Sequence, residues 1–211
     1  MKANNIFPIL AIAAGALIIK RNRISGVGAT DQDLALQMLD EAGIDIRQSY
    51  HELDFAELQE LHYIMKIVGY KAPSRKVRSE APVYYFWRYL RHIAQKNGVF
   101  GVSEATKEDE LNGWRVYSWV LMSPDLFEKT YSVFMQDRTN HGWPAMQNIF
   151  AWLKVNMPAP YHNLSEEAYE IAAYNLAADY FAIHDRKLDR ETAFKQAAAE
   201  LEAARQAYLS L

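Results

Sequence analysis

Six histidines, 26 acidic side chains and no cysteine are the raw material for chemistry in this 211-residue chain. Histidine metal sites draw on spacings such as His-Glu-x-x-His or Glu-x-x-His, which bring ligands onto one face of a helix. Neither spacing occurs at any histidine here. The missing cysteines remove disulfides, thiolate ligands and thiol nucleophiles together, a composition that fits a reducing compartment. Residues 49–54, SYHELD, gather a hydroxyl, an imidazole and carboxylates, the groups of a general acid–base set. Neighbours in a turn point different ways, however, and Asp54 has the position of a helix cap, so a solvated turn is expected. GVGATD, residues 26–31, has two glycines of a phosphate loop but lacks the third glycine, the lysine and a preceding strand, and reads as a linker. No metal and no cofactor is expected, and the chain leans away from an enzyme.

The side chains with binding character are cationic and aromatic. Arg75, Lys76 and Arg78 lead towards a helix that starts at Pro82. On that helix Val83, Phe86, Trp87, Leu90 and Ala94 share one face, while Tyr84, Arg88, Arg91 and Gln95 lie along another. Arginines alternating with rings at helical spacing suit a phosphate backbone with stacked bases, or a lipid headgroup layer. The competing reading is a core of rings with a solvated cationic rim. His62 falls among Phe55, Leu58, Met65 and Val68 and is expected as a hydrogen-bonded core histidine. Asn140, His141 and Trp143 mark a tight interhelical turn with the indole packed inward.

The elements that must position these residues are helices, because no convincing run alternates apolar and polar residues. Asp31 to Ala42 forms a first helix, stopped by Gly43. Asp54 and Glu57 make a capping box, with Leu53 stapled to Leu58, for a helix from Phe55 to Val68. Pro82 opens a helix to Gly98, and Ser103 or Thr106 opens one that carries Leu111, Trp114, Tyr117, Ser118 and Leu121. Ser123 and Pro124 are a cap followed by proline at the first helical position. Pro144 to Asn156, Ser165 to His184, and a final helix capped by Asp189 complete the series. In the last, Phe194, Leu201 and Tyr208 recur every seven residues, as do Ala197, Ala204 and Leu211, too short a seam for an independent coiled coil. Packing within the chain is expected, with the two alanine-rich C-terminal helices approaching closely as an antiparallel pair.

Ahead of this body, Ile6 to Ile19 is a run of fourteen residues without a charged or polar side chain. Pro8 suits a first helical turn, and Lys20, Arg21 and Arg23 suit the C-terminal end of a helix. Fourteen residues of helix cover about 21 Å, short of the roughly 30 Å of a hydrocarbon core. Snorkelling flanks or a thinned bilayer accommodate such a run. Ala11 and Gly15 form a small-xxx-small pair that lets helices approach. Signal cleavage is not expected, since the small residues are followed by Leu17, Ile18, Ile19, Lys20 and Arg21 rather than a polar terminus. The cations that follow the run place the body on the cytoplasmic side.

The expected architecture is therefore all-α: an irregular bundle of about seven or eight helices, with residues 1–29 an apolar helix and glycine-containing linker projecting from a globular helical domain over 30–211. Composition is that of a folding chain, half apolar and 23% charged, and a net charge of −3 supplies no global field for nucleic acid. The layout is similar to that of internal virion or ejection proteins of tailed phages and of small bacterial membrane-tethered components. Such a resemblance implies a non-enzymatic structural or interaction protein, membrane-associated or within a virus particle, and part of a homo- or hetero-oligomer. Contact with the membrane or assembly falls to Phe7, Leu10, Ala11, Gly15, Leu17, Ile18, Lys20, Arg21 and Arg23. The alternatives are a nucleic-acid-binding accessory protein using Arg75, Lys76, Arg78, Tyr84, Arg88 and Arg91, and a helical enzyme that assembles a site from dispersed carboxylates.

Overall fold

The computed structural model describes residues 31–71, 81–138 and 143–210. Eight α-helices, one short 3-10 turn and no strand occur among them, a multi-helix bundle. They are α1 (Asp31–Ala42), α2 (Phe55–Ile67), α3 (Ala81–Lys96), α4 (Lys107–Met122), α5 (Pro124–Gln136), α6 (Trp143–Asn156), α7 (Glu166–His184) and α8 (Arg190–Leu209), with the 3-10 turn at Tyr50–Glu52. The apolar run, the boundary after residue 29 and the cationic stretch 75–78 lie outside the described residues.

Local chemistry sets the ends. Asp54 accepts from the Glu57 N–H at 2.8 Å while Glu57 accepts from the Asp54 N–H at 2.7 Å, so two orphan donors of α2 are satisfied reciprocally. Thr106 and Asp109 do the same for α4, and Asp189 accepts from the Thr192 N–H of α8 at 2.9 Å. Pro124 occupies the first position of α5, where a missing N–H costs nothing.

The pillar of the bundle is α7. Every residue from Ala168 to Tyr180 is buried, as expected of a helix covered on all sides. It runs between α4 on one flank and α6 on another. Close approach to α4 depends on Gly113, where a Cβ would stand 2.8 Å from Ile171 Cβ and 2.9 Å from the Ala168 carbonyl oxygen. Only glycine fits that crossing.

The structure corrects the expected pairing of the two C-terminal helices: α8 lies along α4, which stands between it and the pillar. Its alanines 193, 197 and 204 are buried there. The two ends of that antiparallel contact are tied, for Arg190 donates to the Leu121 carbonyl through Nε at 2.9 Å and Nη2 at 2.7 Å, and Lys107 reaches the Ala207 carbonyl at 3.3 Å. Arg190 thereby satisfies a carbonyl at the C-terminal end of α4 that has no helical partner. Helices α1, α2 and α3 pack on one another as a separate layer. An aromatic cluster joins that layer to the pillar, with Tyr84 of α3 stacked on Tyr174 of α7 at 4.2 Å and Tyr50 edge-on to Trp143 at 4.5 Å.

Candidate functional site

Between α2 and the pillar lies a cleft of about 1200 Å³. One wall is the outer stripe of α2, Phe55, Leu58, Gln59, His62, Met65 and Lys66, and the opposite wall is Tyr174, Ala177, Ala178, Phe181 and Ala182 of α7. Pro82 and Val83 of α3 and Trp143 and Met146 of α6 complete it, with Asp185, Lys187 and Leu188 after the end of the pillar. The space exists because the pillar offers methyl groups where larger side chains would meet α2. Sites for small molecules are commonly about 300–1,000 Å³, so this cleft is larger than most of them.

Two polar groups on the lining are engaged with the fold. Tyr117 donates its hydroxyl to the buried carboxylate of Asp179, and Arg138 donates to His184 Nε2, which fixes that imidazole as an acceptor. Among the described residues no group of three or more histidines and carboxylates could hold a metal ion.

His62 is the first correction here. The buried arc of α2 runs through Leu58, Leu61, Ile64 and Met65, which leaves His62 exposed on the cleft wall rather than in the core. Residues 49–54 are the second, for they are no solvated turn. Tyr50 and Leu53 are buried, and the His51 side chain, stacked on Phe150 at 4.0 Å, is largely covered. Glu170 of the pillar accepts from the His51 backbone N–H at 2.9 Å and meets its Nδ1 at 3.1 Å. Gln147 donates to the His51 carbonyl at 2.8 Å, and the Trp143 indole donates to the Leu53 carbonyl at 3.1 Å. The turn is thus a plug that locks α6 and α7 together beside the cleft. Its sequence signal was Ser49-x-x-Glu52, whose Glu52 accepts from the Ser49 N–H at 2.7 Å.

The described part of the aromatic–basic helix is turned inward. Tyr84 is 1% exposed, and Arg91 is 6% exposed with its Nε unpaired among the described residues. Arg88 pairs with Glu110 at 2.7 Å and lies over the Tyr84 ring at 5.9 Å. Burial pushes the Tyr84 hydroxyl pKa well up. Burial opposes the Arg88 charge, yet Tyr84 and Glu110 hold its pKa above the ordinary arginine value. Arg75, Lys76 and Arg78, and every residue from Phe7 to Arg23 assigned to membrane or assembly contact, fall outside the described residues.

Comparison with protein-family models, with curated proteins and with solved structures gives no match.

Proposed function

We propose that this chain is a non-enzymatic helical interaction protein, held at a membrane by residues 6–19 and offering its folded body to other proteins. The observation that carries the reading is the uncharged run itself, fourteen residues followed by Lys20, Arg21 and Arg23. Among the described residues the helices share one aromatic-rich core, and none of them is long and apolar enough to cross a membrane. Membrane attachment is assigned to the run on its own composition. The cleft between α2 and α7 supports the second half, since an open groove of that size with apolar and polar residues on its walls suits a protein segment. A virion interior or ejection component is another setting for the same division of labour.

The nucleic-acid alternative draws less support, because Tyr84, Arg88 and Arg91 are buried or paired instead of spread along an open surface. Flotation with phosphatidylcholine–phosphatidylglycerol vesicles tests the proposal. The full chain should rise with the vesicles, and a Leu10→Asp, Leu17→Asp variant should stay in the dense fraction with unchanged helical circular dichroism. Each central charge costs about 2.5–3.5 kcal/mol in a bilayer, enough to reduce binding by more than ten-fold. Equal flotation of both proteins removes the proposed role of the run.

A further inference from the structure

The segment from Gly98 to Gly101 closes α3 and projects an aromatic ring into solvent. Gly98 has φ +75° and Gly101 has φ +84°, left-handed conformations that a side chain would strain. The Gly98 N–H donates to the Gln95 carbonyl at 3.0 Å and the Val99 N–H to the Ala94 carbonyl at 3.0 Å, which seals the helix end. On the far side Val102 is buried, and the Arg47 stem lies where a Cβ at Gly101 would meet it, at 3.3 Å. The loop is pinned at both ends. Between the pins Phe100 is 96% exposed and Val99 is 39% exposed. Nothing in the described fold uses this ring, and water is its worst environment.

We propose that Val99 and Phe100 form a second membrane contact, a finger that enters the boundary between headgroups and acyl chains of the bilayer that holds residues 6–19. The inference rests on the tethering proposed above and adds the orientation of the body. The size of the exposed group favours a lipid surface over a protein. The apolar part of the tip is one ring and one short side chain among exposed Asn97, Gly98 and Gly101, whereas a protein interface needs an apolar patch with a matching surface. A bilayer asks only for a protruding apolar tip. Of the charged groups near the tip, Lys96 is exposed, Asp45 is paired with Arg47 at 2.8 Å, Glu104 meets His92 at 2.8 Å, and Glu167 accepts from the Ser103 hydroxyl. A short apolar segment is a marginal anchor by itself, and stable attachment commonly takes two signals.

The chain has no cysteine, so a Phe100→Cys variant of the full-length protein takes an environment-sensitive fluorophore at one site. A Lys195→Cys variant, on the exposed face of α8, is the control. On adding phosphatidylcholine–phosphatidylglycerol vesicles, the label at position 100 should shift to the blue and brighten, and the label at 195 should not. Phe100→Ser, a change on an almost wholly exposed side chain, should weaken vesicle partitioning about ten-fold with unchanged circular dichroism. If the chain floats with vesicles while the label at 100 stays aqueous and Phe100→Ser binds as well as the parent, the finger is wrong and the tether stands. If the chain does not float at all, both fall. If the label at 100 becomes shielded with rising protein concentration and no lipid, the ring meets a second copy, and the lipid assignment is overturned.

Discussion

Asp109 accepts from the Ser165 hydroxyl, 56 residues away, and at 2.7–2.8 Å from the hydroxyl and N–H of Thr106. Burial alone would raise its pKa, but these three donors win and hold the carboxyl below its ordinary 3.8. Glu166 is held low first by its hydrogen bond from Lys154, and Asp189 by the Thr192 hydroxyl and N–H. A carboxyl depressed in the fold contributes stability above its unfolded pKa and loses it as pH falls through the folded value. Two tyrosines act at the other end of the scale. Burial raises the pKa of Tyr84 and Tyr180 above 10.0, so their contribution is whole below that value and is lost as pH rises beyond it. The urea midpoint should therefore be level between about pH 5 and pH 9 and fall on both sides. Asp109→Asn should flatten the acid limb. An acid limb unchanged in that variant would show that the Ser165 and Thr106 contacts contribute nothing. Part of this site was legible in the chain, for Ser103 or Thr106 read as a helix start, and the structure places the cap at Thr106 with Asp109 as its reciprocal partner. Ser165 was legible only as a cap of its own helix, because spacing along a helix does not report which other helix comes alongside.

Helix starts and stops were the clearest signals at the scale of elements. Gly43 ends α1, Asp54 and Glu57 begin α2, Ser165 and Asp189 begin α7 and α8, and each stands where the sequence puts it. These are local contests between backbone and side chain, decided within four residues. Neighbours were another matter. The alanine stripes of α7 and α8 say that something approaches closely, and in the structure that something is α4 in both cases. Gly113 is the residue that permits it, and in the sequence it looks like an interruption of a helix. Gly113→Ala would normally favour a helix, yet here the new methyl meets Ile171 and the Ala168 carbonyl. Overpacking should win, with a net loss of about 1–3 kcal/mol in urea unfolding. A stabilised Gly113→Ala would mean that α4 and α7 are not packed as described.

Among the described residues the helices share one core, and the leading run lies outside them. Within the body, the turn at Tyr50–Glu52 and its partner Glu170 connect the α1–α3 layer to the pillar, and the cleft opens beside them. The sequence announced the run plainly, since fourteen uncharged residues need no tertiary context to be noticed. It did not announce the cleft, which exists through the juxtaposition of α2 with small residues more than a hundred positions later. Nor did it separate Tyr84, Arg88 and Arg91 from a surface patch, because a helical wheel shows a second face without showing that Glu110 and Tyr174 cover it. The central claim concerns the run and its surroundings. A nitroxide placed through Ala14→Cys in the full-length chain, bound to phosphatidylcholine–phosphatidylglycerol vesicles, reads those surroundings by relaxation with oxygen, which concentrates in acyl chains, and with a water-soluble nickel complex. The account predicts strong relaxation by oxygen and little by nickel, and the reverse for the same label at Lys195→Cys. A label at position 14 shielded from both agents, with or without vesicles, would place the run inside the protein and contradict the account.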